Sequence, residues 1–192
     1  MNLDISSSPP PAPRVLLLPG WLNSDPPHWQ SRWEALYHDT RVEQDDWQWP
    51  KRGDWMARLE EVLLADERPA LLAAHSLGCQ LVANWAAHSR HAARVCGALL
   101  VAPPDIERSD MPPQLQTWRP IQRARLPFRS VLLLSDDDPY CAPQRAAAMG
   151  AGWGAEVHAI GARGHINGES GLGDWPQGRQ WLERLRPGAY GT

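Results

Sequence analysis

Long apolar runs are absent from this chain of 192 residues. Stretches such as 15–18 and 98–102 stop after about five residues, against the ~18 a membrane helix needs, so neither a span nor a membrane partner is expected. An excess of charge of one sign is missing too. Nineteen Lys and Arg face 22 Asp and Glu for a formal charge of −3, and the basic residues are scattered, which gives no footprint for nucleic acid. Cysteine is scarce: Cys79, Cys96 and Cys141 form no C-x-x-C pair, and an odd number of distant thiols suits a reduced compartment, so a cytoplasmic location is expected. There is no H-E-x-x-H and no His or Cys cluster with ligand spacing. No strand is followed by G-x-G-x-x-G or G-x-x-x-x-G-K-[ST]. Neither a metal nor a cofactor is expected.

What is present suffices for a sizeable core, with 43% hydrophobic and 21% charged residues. Residues 1–13 are Ser- and Pro-rich and lack the basic and apolar regions of a secretory signal, so they read as a flexible tail ahead of a single domain over 14–192. Short apolar runs at 15–18, 70–74, 96–102, 130–134 and 155–160 predict strands, with a further strand suggested at 41–47. Between them, helical patterns cover 27–37, 54–65 with Asp54 as N-cap, 77–89, 143–150 and 176–185. Such alternation predicts an α/β domain with a doubly wound, mostly parallel sheet, because parallel strands need crossovers and the helices supply them. Ligands of such sheets bind beyond the carboxyl ends of the strands, so chemistry is sought just after each one. The proline-rich segment 103–127 reads as an irregular excursion over those ends, and long loops of that kind are usually functional.

Ser76 stands where a strand pattern meets a helix pattern, in Ala74-His75-Ser76-Leu77-Gly78, a near match to the G-x-S-x-G elbow. A plain alternative is that Ser76 only N-caps the helix. A serine nucleophile needs a base in hydrogen-bond reach and a carboxylate to orient that base, in the chain order Ser, acid, His. His165, in a Gly-rich loop after the last strand, is the best-placed histidine; His28, His38, His88 and His91 fall on helical patterns or their ends, His158 inside a strand, and His75 precedes the acids. For the carboxylate, Asp138 beside Pro139 is preferred, then Asp137, then Asp105. The N–H groups of Trp21, after the first strand, and Leu77 are candidates for an oxyanion hole. Eleven tryptophans accompany a single phenylalanine, and most of them are expected to pack the core. Cys79 and Cys141 lie off the elbow and are read as structural.

Four segments then carry a family resemblance: Pro19-Gly20-Trp21 with Asn23-Ser24 and His28-Trp29; His75-Ser76-Leu77-Gly78; Ser135 with Asp138-Pro139-Tyr140; and Gly164-His165-Ile166-Asn167 followed by Ser170-Gly171-Leu172-Gly173-Asp174-Trp175. Across residues 14–186 the chain resembles the small serine hydrolases grouped with retinoblastoma-binding protein 9 and the bacterial YdeN-like proteins, a compact branch of the α/β-hydrolases without a large lid. The resemblance implies Ser76 as nucleophile, Asp138 as acid and His165 as base, with Ala74 as a departure from the first elbow glycine. Small ester, thioester or amide substrates, acyl or aminoacyl, would pass through an acyl-enzyme. His28 and Trp29 are candidates to line the pocket, against the alternative that they pack a helix start. The competing class is a binding or regulatory module that keeps the fold without the activity.

Overall fold

The computed structural model describes residues 11–188, so the first ten positions of the expected tail and the last four of the chain lie outside the described residues. The elements are β1 (Arg14–Leu18), α1 (Trp29–Tyr37), β2 (Thr40–Arg41), α2 (Arg52–Leu64), β3 (Ala70–His75), α3 (Leu77–His88), β4 (Val95–Val101), β5 (Arg129–Leu134), α4 (Pro143–Trp153), β6 (Glu156–Ala159) and α5 (Pro176–Glu183). The strands form one sheet in the order β2-β1-β3-β4-β5-β6, and every pairing is parallel.

Side chains of alternate strand residues enter opposite layers, as the period of two demands. Leu16, Leu18, Leu72, Ala74, Leu100 and Leu132 pack beneath α2, α3 and α4 through Trp55, Leu59, Trp85 and Trp153. Val15, Leu17, Leu71, Ala73, Leu99 and Val131 pack against α1 and α5 through Trp29, Trp33 and Leu182. Burial on both faces is why the central strands read as continuous apolar runs rather than as alternating patterns. No helix among the described residues is long and apolar enough to cross a membrane.

Three local expectations need correction. The strand suggested at 41–47 is only the two-residue β2. Its partner β1 stops at Leu18 before Pro19, which has no N–H to continue a ladder, so after Val42 N–H bonds Leu17 O nothing remains to pair with. Asp54 is not an N-cap either: α2 starts two residues earlier with Lys51 in that place, and Asp54 lies in the first turn, where its charge still meets the positive end of the helix dipole. Helix α4 also runs past the expected end at 150 to Trp153, where Gly154 closes it with φ 73°.

The strand order reverses direction between β1 and β3, and the crevice outside the carboxyl ends at such a reversal is where open α/β sheets bind ligands. Gly20 and Trp21 follow β1 there, and Ser76 follows β3. The parallel register sets Leu18, Ala74 and Leu100 side by side, so the turns that leave these strands emerge at one level. Segment 103–127 crosses above them as irregular chain with one 3-10 stretch, Pro113–Trp118, anchored by buried Ile106, Leu115, Trp118 and Ile121.

Candidate active site

Ser76 sits at the one-residue turn between β3 and α3 with φ 53° and ψ −121°, a conformation that costs a residue with a β-carbon of order 1–3 kcal/mol. The plain reading as an N-cap does not hold, because the Ser76 side chain makes no capping hydrogen bond. Its Oγ–H instead faces His165 Nε2 at 2.8 Å. The strain is held from both sides: Ser76 N–H donates to Val101 O, and Cys79 N–H donates to Ser76 O, both at 2.9 Å. A β-carbon on Gly20 would come within 2.7 Å of Ser76 Cβ, so the loop after β1 is pressed directly against the serine. Leu77 opens α3, and its N–H has no intrahelical acceptor. Among the described residues no acceptor takes the Trp21 N–H either, and both residues border the space above Ser76.

His165 follows β6 on a loop that turns through Gly161, Gly164 and Ile166, all with positive φ. Its Nδ1 lies 2.9 Å from each carboxylate oxygen of Asp138, so this nitrogen carries the proton and Nε2 is left to accept from Ser76. Both side chains are shielded, with His165 9% and Asp138 4% exposed. Asp138 is fixed in turn by the Tyr140 N–H at 2.9 Å, and the Tyr140 ring meets the imidazole edge to face at 4.6 Å. The other two acids face elsewhere. Asp137 accepts from Ser135 Oγ at 2.8 Å and Gly164 N–H at 2.7 Å, which holds its carboxyl below the usual range. Asp105 pairs with Arg145.

A family model for serine hydrolases matches residues 15–184. The chain belongs to the serine hydrolase family. Of solved structures, it is similar to a YdeN-like hydrolase from Pectobacterium atrosepticum, with 28% identity and a TM-score of 0.78 over 91% of this chain and 92% of that one. The ydeN gene product from B. subtilis shares the fold at 19% identity and TM-score 0.71, covering 90% of this chain and 98% of that one. A Bacillus cereus carboxylesterase does so at 17% identity and TM-score 0.59, over 90% and 88% of the two chains. No curated protein matches this sequence.

In this serine hydrolase, a cavity of about 420 Å³ opens over Ser76. Trp21, Leu22, Met111, Pro112 and Leu115 supply apolar lining, and Asp25 and Glu169 also border it. His28 borders it, but Trp29 does not: the indole is 1% exposed and its Nε1–H donates to Ile166 O at 3.0 Å, beneath the loop that carries His165. Trp175 likewise packs with Trp29 and Trp33 rather than facing the cavity. Burial pushes both the Cys79 and the Cys141 thiols up, Cys141 to about 12, so each stays a protonated, packed side chain. Sequence reasoning passed over the anchoring work of Ser135 and Asp137. Ser135 Oγ takes the Arg163 N–H at 2.8 Å, and Asp137 takes the next N–H along. The only local signal was a polar run ending a buried strand, which equally describes a solvated turn.

Proposed function

We propose that this member of the family hydrolyses small esters, thioesters or amides through an acyl-enzyme on Ser76. His165 takes the Ser76 proton as the oxygen attacks the carbonyl, then returns it to the leaving group; a water activated by the same imidazole releases the acyl group. Asp138 keeps Nδ1 protonated and stabilises the imidazolium that forms. The N–H groups of Trp21 and Leu77 receive the developing oxyanion, each worth about 3 kcal/mol in comparable sites. The observation that carries the reading is the unbroken relay from Ser76 Oγ through the two nitrogens of His165 to Asp138, with links of 2.8 and 2.9 Å. The apolar lining of Met111, Pro112 and Leu115 favours an uncharged acyl group.

The test is labelling of the full chain with a fluorophosphonate, with the adduct located by peptide mass spectrometry. Labelling on Ser76 that disappears in Ser76→Ala and in His165→Ala is expected. A folded wild-type protein that takes no label would remove the proposal and turn attention to a binding role.

A further inference from the structure

Two largely buried histidines that the relay does not use also border the cavity. His75, the last residue of β3, and His28, just before α1, are 5% and 3% exposed. Their ring nitrogens form one line of contacts. Gln30 N–H donates to His28 Nδ1 at 3.1 Å, His28 Nε2 stands 3.3 Å from His75 Nδ1, and His75 Nε2 stands 2.8 Å from the carbonyl oxygen of His165.

The two ends settle where the protons are. A carbonyl can only accept, so His75 Nε2 carries a hydrogen; a backbone N–H can only donate, so His28 Nδ1 is bare and its hydrogen is on Nε2. The middle contact is then a donor, His28 Nε2–H, meeting an acceptor, His75 Nδ1. All three links agree with two neutral rings. A third proton on either ring would set two hydrogens against each other. Burial pushes both histidines far below their ordinary value, His28 to about 3, in keeping with that count.

The chain ends on the backbone of the residue whose side chain faces Ser76. Trp29 pins the next carbonyl, Ile166 O, so two successive peptide groups of the loop are held from below. We propose that His75 is a positioning residue for His165, fixing its main chain through the carbonyl, and that His28 holds His75 in the tautomer this requires. The inference rests on His165 being the base.

The experiment combines nitrogen NMR of histidine-labelled wild-type protein with the kinetics of His75→Gln, His75→Phe and His165→Ala on p-nitrophenyl acetate. Both buried rings are expected to carry hydrogen on Nε2. His75→Phe loses the donor and is expected to lower kcat about tenfold to a hundredfold, the scale of a small misplacement of a reacting group, with KM within about twofold. His75→Gln, whose amide N–H reaches the same carbonyl, is expected to recover most of it. A proton on His75 Nδ1, wild-type kcat in a folded His75→Phe protein, or equal losses in the Gln and Phe variants would each overturn the proposal. Should His75→Phe fail to fold, the tautomers and the Gln variant still decide. Wild-type turnover by His165→Ala would instead overturn the reading of the base.

Discussion

A β-carbon on Gly78 would stand 2.2 Å from the carbonyl oxygen of Leu18 and 3.0 Å from that of Pro19. Helix α3 therefore leaves the serine turn in contact with the bare backbone at the end of β1, and nothing there can yield without moving the sheet. Gly78→Ala is expected to cost about 3 kcal/mol, the upper end for overpacking a well-filled site. The opposite flank behaves differently. Ala74 extends β3 between Leu18 and Leu100 with its methyl in the core, so Ala74→Gly is expected to lose only about 1 kcal/mol and to keep its activity. Urea unfolding of the two variants checks this; a Gly78→Ala protein as stable as wild type would refute the contact.

The backbone of Ser76 leads to a second expectation. At φ 53° and ψ −121° any residue with a β-carbon is strained, and here that carbon also abuts Gly20. Ser76→Ala and Ser76→Gly both remove the hydroxyl, but only the glycine variant removes the strain. After allowing for the extra freedom of glycine in the unfolded chain, Ser76→Gly should be more stable than Ser76→Ala by about 1 kcal/mol. Thermal unfolding of the two variants measures it, and the reverse order would contradict a strained elbow.

The neighbouring acids should separate cleanly in kinetics and stability. Asp138→Asn keeps the shape but presents an amide that can donate to Nδ1, which favours the wrong imidazole tautomer, and kcat is expected to fall by up to ~10⁴-fold. Asp137→Ala leaves the Gly164 N–H and the Ser135 hydroxyl to water, so a modest loss of stability and a smaller fall in kcat are expected. Steady-state rates and urea midpoints on both variants distinguish the two; a larger kcat loss in Asp137→Ala would reverse the roles.

How much of this was legible depends on the range of each signal. Strands buried on both faces announce themselves as apolar runs, and helices as a 3.6-residue period, so the alternation and the parallel sheet followed from local pattern. The meeting of Ser76 and His165 was legible because each stands at a turn beside such a run. Asp138 could be preferred over Asp137 but not separated from it, since adjacent acids differ only in where the folded loop aims them. Strand β2 was overextended because its length is set by where β1 stops, which its own residues do not encode. The contact between His28 and His75 joins residues 47 apart and has no local trace. Trp29 illustrates the same limit: its position beside His28 pointed to the cavity, while the fold turns it under the loop that carries His165.

Those two buried histidines also set a pH dependence of stability. Both are held neutral in the folded chain, His28 at about 3 by burial and then by Arg41 and His165, and His75 well below its ordinary value by burial and then by His28 and His165. In the unfolded chain each titrates near 6.5. Below about pH 6.5 the unfolded state therefore binds two protons that the folded state refuses, so stability rises with pH across this window and falls as pH is lowered. The contribution is complete above about pH 6.5. Each ring is worth about 1.4 kcal/mol per pH unit below it, and the pair about 2.7. Urea unfolding at about pH 7.5, 6 and 5 should show that slope, before most carboxylates begin to protonate. His28→Gln removes one of the two groups and should roughly halve it. A wild-type slope no steeper than that of the variant would mean that the folded chain accepts the proton on His28, and a neutral line of contacts from Gln30 to His165 could not then be what holds the loop.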